Sequence, residues 1–157
     1  GRWAPSSYNY QPWRFLYAMR NDRFNWERFI DLLIPANSVW AREASVLIFI
    51  ISEMMMGSHD KPNNSHSFDA GAAWASISLQ SYLLGYHAHA MAGFEMMKSR
   101  IELGVPDEYR IEAAIAIGRK GDAKLLPEKL QARETPSTRH PLDDIAYPGN
   151  FRARSTT

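Results

Sequence analysis

The run Val46-Leu47-Ile48-Phe49-Ile50-Ile51 is apolar at every position. Neighbouring strand residues point to opposite faces, so this run predicts a central strand covered on both sides. Ile111 to Ile117 (IEAAIAI) predicts a second inner strand, ended by Gly118, and Phe15 to Met19 predicts a further strand. In Phe24 to Leu33, the apolar residues Trp26, Phe29, Ile30 and Leu33 recur at helical spacing and predict an amphipathic helix. Pro35 is expected to end it, and Asn37 to cap a second short helix over Ser38 to Glu43. The longest helical stretch is Ser67 to Gly85, with Ser67 as N-cap and Gly85 just past the C-terminus. Gly71, Ala72, Ala73, Ala75, Ser76 and Ser78 make its surface small, and Asp69 is its one charge. A helix so poor in charge is expected to be buried on most sides. Phe94 to Leu103 predicts another helix, stopped by Gly104 and Pro106, and Leu126-Pro127-Glu128 begins a short one. Few strands and much helix predict an α+β sandwich, with helices around one sheet.

Polar, breaker-rich stretches separate these elements. Gly57 to Ser65 (GSHDKPNNS) is expected to be a mobile loop, and Arg133 to Pro141 a loop. Residues 1–147 are read as a single domain, and the polar, basic segment 148–157 as an arm or disordered tail. Arg2-Trp3-Ala4-Pro5 reads like the end of a helix already running, so N-terminal material is expected to be missing.

Composition narrows the chemistry. A chain of 157 residues suffices for one domain with a core. Eighteen basic against 17 acidic residues give a net charge of +1, which argues against a large nucleic-acid face. No cysteine is present, which removes disulfides, thiolate nucleophiles and Cys-ligated metals. The run Val46 to Ile51 is far too short to span a bilayer, and no signal peptide opens the chain. The protein is expected to be cytoplasmic.

Standard motifs are missing: no G-x-G-x-x-G, P-loop, G-x-S-x-G or H-E-x-x-H. His87 and His89 would share one side of a strand, but two ligands are too few, and no metal is expected. Ser6 or Ser7, His140 and Asp143 make a triad on paper, but without a nucleophile elbow the set carries little weight. The opening stretch Pro5-Ser6-Ser7-Tyr8-Asn9-Tyr10-Gln11-Pro12-Trp13 is more distinctive. Two prolines stiffen it, and the hydroxyls and amides between them suit a planar polar ligand. The same side chains would equally serve to cap the loop's own backbone.

This stretch, Pro-Ser-Ser-x-Asn-x-Gln-Pro-Trp, resembles the signature loop of the FMN-dependent nitroreductase family. Further pieces follow in the family's order. Asp69-Ala70-Gly71-Ala72-Ala73 is similar to the start of its central helix, and Gly85 to Phe94 (GYHAHAMAGF) to the segment after it. Leu103-Gly104-Val105-Pro106 with Ala113 to Gly118 resembles a helix end and late strand, and Arg139-His140-Pro141-Leu142-Asp143-Asp144-Ile145 a late element. Together they cover nearly all of the chain from Arg2 to Ile145.

The resemblance implies a nitroreductase-like α+β sandwich with a central, mostly antiparallel sheet flanked by helices. It implies a homodimer with FMN at the interface, each flavin touching both subunits. Ser6, Ser7 and Asn9 would meet FMN from one chain, with Pro5 setting the loop and Gln11 bracing it. Asn37 would bond the pyrimidine edge, Ala92 and Gly93 would offer backbone N–H near flavin N5, and Arg139 would pair with the phosphate. The implied reaction is ping-pong. NAD(P)H passes a hydride to flavin N5 and leaves; a nitroaromatic, quinone or similar acceptor then takes its place. No catalytic side chain is required, because the chemistry is the flavin's. An alternative is a flavin-binding or non-catalytic member without efficient turnover.

Three departures from the family pattern stand out. Its Arg-x-Ser-x-Arg element would lie upstream of Gly1. Trp40 stands where some members carry a Lys near flavin N1 and O2, and Ala92 where some carry a Glu. Tyr8, Tyr10, Phe24 and Trp40 are candidate pocket aromatics, with Phe24 expected in the core; Met54-Met55-Met56 is expected to be packing.

Overall fold

A computed structural model describes residues 1–57 and 60–151. Residues 1–120 form one compact unit and the chain from Gly121 a second. In the first unit the chain runs through β1 (Trp13–Met19), α1 (Arg23–Ile30), α2 (Pro35–Ala41), β2 (Val46–Glu53), the two-residue strands β3 (Met55–Met56) and β4 (Lys61–Pro62), α3 (His66–Leu83), β5 (His87–Met91), α4 (Met96–Glu102) and β6 (Tyr109–Gly118). The second unit holds α5 (Glu128–Gln131) between loops and short 3-10 turns. No helix among the described residues is long and apolar enough to cross a membrane. Of the expected tail, residues 152–157 lie outside the described residues, as do Ser58 and His59 of the expected loop.

The sheet order is β1-β2-β6-β5, and all three pairings are antiparallel. β2 is central, as its two-sided apolar run predicts. Strand alternation sorts its residues into two cores. Leu47, Phe49 and Ile51 join Ala114 and Ala116 of β6, Trp26, Phe29 and Ile30 of α1, and Phe94. Ile50 joins Ile115, Trp13 and the α3 residues Ala70 and Ala73 on the other face. Phe49 is fully buried and meets Phe29 and Phe94 edge-on, at centroid distances of 5.4 and 5.5 Å. The alanines of α3 let that helix lie close against the sheet.

The pairing of β2 with β6 shifts between Ile50 and Ile51, which sit opposite Ala113 and Ile111. Glu112 is therefore the extra residue of a β-bulge, and such bulges re-aim a side chain. Its carboxylate accepts bonds from the hydroxyls of Ser52 (2.5 Å) and Ser67 (2.7 Å), tying α3 to the sheet.

Several local expectations are corrected. Pro35 opens α2 rather than ending a helix, because an N1 position needs no N–H donor. α1 stops at Ile30, and Asn37 lies inside α2 instead of capping it. Asp22, which the apolar pattern does not mark, caps α1; the amide of Asn25 bonded to it holds its carboxyl below the usual range. α3 starts at His66, one residue early, and ends in a Schellman arrangement around Gly85 at φ +78°. There Tyr86 N–H reaches Ser81 O and Gly85 N–H reaches Tyr82 O. Part of the expected loop at 57–65 is strand: Lys61 and Pro62 pair in a small ladder with Met56 and Met55. Phe24 is exposed rather than core, lying under the Arg28 guanidinium. α3 is not buried on most sides of this chain: Phe68, Leu79, Tyr82 and Leu83 are exposed.

Truncating Phe49 to Ala removes the ring that joins α1 to the segment at Phe94. Phe49→Ala is expected to lower unfolding stability by about 3–5 kcal/mol, read from urea unfolding with an unchanged m-value.

Candidate functional site

The opening loop is built from local polar bonds and unusual backbone. Ser7–Asn9 form one 3-10 turn, with Asn9 N–H bonded to Ser6 O and Tyr10 N–H to Ser7 O. Tyr8, Asn9 and Gln11 adopt φ of 52°, 54° and 54°. Non-glycine residues with a Cβ pay roughly 1–2 kcal/mol each there, Asn less, so the loop holds strain that its surroundings must offset. The Ser6 hydroxyl accepts from Gln11 N–H at 3.0 Å, and the Gln11 amide donates to Asn9 O and Oδ1 at 3.3 and 3.2 Å. Gln11 thus braces the loop. Self-capping takes up Ser6 and Gln11 but not the whole set: the Ser7 hydroxyl and the Asn9 NH2 have no partner among the described residues. Tyr8 is almost wholly exposed. Tyr10 donates its hydroxyl to Met55 O at 3.0 Å; burial first, then the Glu53 charge, pushes that phenol above its ordinary value.

A second group forms where α2 meets the end of β5. Glu95 N–H donates to Leu32 O, Ile34 N–H to Gly93 O, and Leu33 bridges Phe94. Asn37, in the first turn of α2, donates Nδ2 to Gly93 O at 2.9 Å. Asn37 and Gly93, 56 positions apart, are thereby side by side. Gly93 O accepts twice, while Gly93 N–H has no bond among the described residues. A Cβ on residue 93 would stand 2.5 Å from Asn37 Nδ2 and 2.7 Å from Ile34 Cδ1, so only glycine fits. Ala92 is exposed beside it. Asn37 keeps Oδ1 available as an acceptor, next to an uncommitted backbone donor. This donor and acceptor pairing suits the edge of a planar polar ring. Trp40, one turn on from Asn37, packs edge-on against His89 with centroids 5.1 Å apart, so a ring rather than a cation fills that place.

Arg139 lies in the second unit, exposed, and donates from Nη1 to Ser137 O, Ser137 Oγ and Thr138 O. The sequence-predicted residues thus fall into the loop group (Pro5, Ser6, Ser7, Asn9), the junction group (Asn37, Ala92, Gly93) and Arg139. No hydrogen bond among the described residues joins the first two. No three-residue metal cluster occurs among the described residues. A cavity of about 230 Å³ is lined by Arg20, Arg23, Arg42 and Glu43, with Arg20 paired to Glu43 at 2.8 Å.

Sequence reasoning missed two supports. Asp69, buried, accepts from Ser7 N–H and from the Ser65 hydroxyl, both at 3.2 Å. Its signal was visible as the sole charge of a charge-poor helix. The cluster of Ser52, His66, Ser67 and Glu112 depends on a bulge that no local pattern announces.

No family model matches the chain. A curated protein of Mycolicibacterium smegmatis, an uncharacterized 15.4 kDa protein in the ask 5′ region, is 31% identical over 120 residues, covering 76% of this chain and 80% of that protein. A crystal structure described as an oxidoreductase containing FMN is 47% identical with a TM-score of 0.94, covering 98% of this chain and 78% of that one. A candidate nitroreductase solved in complex with FMN, from Desulfovibrio desulfuricans, is 25% identical with a TM-score of 0.66, over 96% of this chain and 79% of that one. With the ordered motifs, the antiparallel sheet between helices and these likenesses together, the chain belongs to the FMN-dependent nitroreductase family.

Proposed function

We propose that this protein is an FMN-dependent oxidoreductase that uses NAD(P)H to reduce small nitroaromatic, quinone or similar acceptors. The observation that carries the reading is the junction of Asn37 with Gly93, where an amide acceptor and an unbonded backbone N–H sit side by side. Bound FMN would supply the redox chemistry, taking a hydride from the nicotinamide and giving electrons to the second substrate in a separate encounter. The chain's own residues bind and orient. Asn37 Oδ1 would accept from the ring edge, while Nδ2 stays fixed on Gly93 O. Gly93 N–H would donate to the ring, where a bare backbone lets the ring approach closely. Ser7 and Asn9 would donate to flavin oxygens. Trp40 would wall the pyrimidine end with an uncharged surface.

The site is proposed to be completed by a second copy. Phe68, Gly71, Ala75, Leu79 and Tyr82 are exposed along α3 at steps of three and four residues, one apolar stripe of a helix. A second copy packed on this stripe would cover it and bring the loop group of one chain to the junction group of the other.

Three outcomes are expected. The purified protein takes up FMN, and its visible absorbance bleaches on anaerobic addition of NADPH or NADH. A colourless protein that ignores FMN would defeat the reading, and bound flavin that stays oxidised would leave a binding role. Gly93→Ala, which drives a methyl into Asn37, weakens FMN binding by at least about tenfold, measured by quenching of flavin fluorescence. Light scattering gives twice the chain mass, and Leu79→Glu, placing a charge on the α3 stripe, shifts it toward the single-chain mass.

A further inference from the structure

The opening loop has more strain than its own bonds explain. Three non-glycine residues within four positions hold left-handed φ, and the loop is mostly exposed. The bonds of Ser6, Asn9 and Gln11 stay inside the loop. Fastening to the rest of the fold comes from Glu53 N–H to Pro12 O, from Tyr10 to Met55 O, from Arg14 to Gln11 O, and from Ser7 N–H to Asp69 Oδ2. Only the last of these grips the segment that presents Ser7 and Asn9.

Asp69 is well placed for that grip. It is 3% exposed and lies in the first turn of an 18-residue helix, where the backbone dipole favours a carboxylate. The Ser65 hydroxyl donates to the same Oδ2 oxygen and fixes its position. The turn it sits on is itself fastened to the sheet. Ser67 donates to Glu112 at 2.7 Å, and His66 Nδ1 lies 2.7 Å from Ser52 Oγ. A chain of polar contacts therefore runs from β2 and β6, through the start of α3, to the loop.

The bond also decides what the loop can offer. With its N–H on Asp69, Ser7 has only its hydroxyl for a ligand. Asn9 Oδ1 already accepts from Gln11, so its NH2 is the open group. The loop then presents mainly donors, suited to carbonyl, ribityl or phosphate oxygens.

We propose that Asp69 is a positioning residue that holds the strained loop in its ligand-binding form. The proposal rests on the reading that this loop meets a flavin. Its essential element is an acceptor at residue 69, not a charge, so Asp69→Asn should substitute for it where Asp69→Ala cannot.

The test uses the full chain as purified, with FMN as probe. Binding is read by flavin fluorescence quenching, and the Ser7 amide by hydrogen exchange without FMN. Asp69→Ala is expected to bind FMN several-fold to about tenfold more weakly, as the loss of one hydrogen bond predicts, while Asp69→Asn stays within about threefold of the parent. The Ser7 amide should exchange faster in Asp69→Ala alone. A folded Asp69→Ala that keeps both parental affinity and parental Ser7 exchange would overturn the proposal. So would an Asp69→Asn protein as weak as the Ala variant. If Asp69→Ala does not fold, Asp69→Asn and Ser65→Ala decide: retained binding in the first with a several-fold loss in the second supports the proposal, and the reverse sinks it. If the parent itself ignores FMN, the proposed function fails; the exchange comparison still judges Asp69 separately.

Discussion

Burial of β2 on both faces is the constraint from which the rest of the architecture follows. A strand apolar at every position needs cover above and below, and it needs a partner on each edge for its backbone groups. β1 and β6 supply the edges. The two covers differ in kind. On one side Phe49 meets Phe29 and Phe94, and bulky rings set the spacing of α1 and the chain after β5. On the other, Ala70 and Ala73 of α3 meet Ile50 and Ile115, and small side chains bring a long helix close.

Both halves of the candidate site inherit their positions from this division. The Phe94 ring, locked against Phe49, fixes the residue that follows Gly93. The strand-like bridge from Phe94 to Leu33 then carries Gly93 to the start of α2, where Asn37 meets it. The opening loop depends on the opposite layer. It precedes Trp13 of β1, buried on the α3 side, and is held by Asp69 from the first turn of α3. One face of the sheet thus builds the junction that would read a ring edge, and the other builds the polar loop. Neither group is large, and each leaves donors or acceptors uncommitted, which is the state expected of surfaces that await a ligand or a second copy.

Local pattern decided a good deal. Two-sided apolar runs marked β2 and β6, helical spacing marked α1, and Gly85 marked the end of α3, because each signal is written in neighbouring residues. The ordered motifs also marked Asn37, Gly93 and the loop from Pro5 as expected site residues, and the structure sets Asn37 beside Gly93. Less legible were features in which a residue serves a distant partner. Pro35 looked like a stop and is a start, since its meaning depends on which side the helix lies. Asp69 looked like a stray charge and is the loop's anchor. Phe24 looked like core because it is aromatic, and it is exposed because α1 turns its Trp26, Phe29 and Ile30 inward instead.

The sequence by itself determined the inner strands β2 and β6, the existence of α1 and α3, and which polar groups the opening loop offers, because these follow from side-chain chemistry and spacing. Tertiary structure alone decided which of those groups are committed and which remain open. The bulge that turns Glu112 toward Ser52 and Ser67, the bond from Asp69 to Ser7, and the contact of Asn37 with Gly93 each join residues 45 to 62 positions apart. Such pairings arise from the packing of layers, and no period in the chain encodes them.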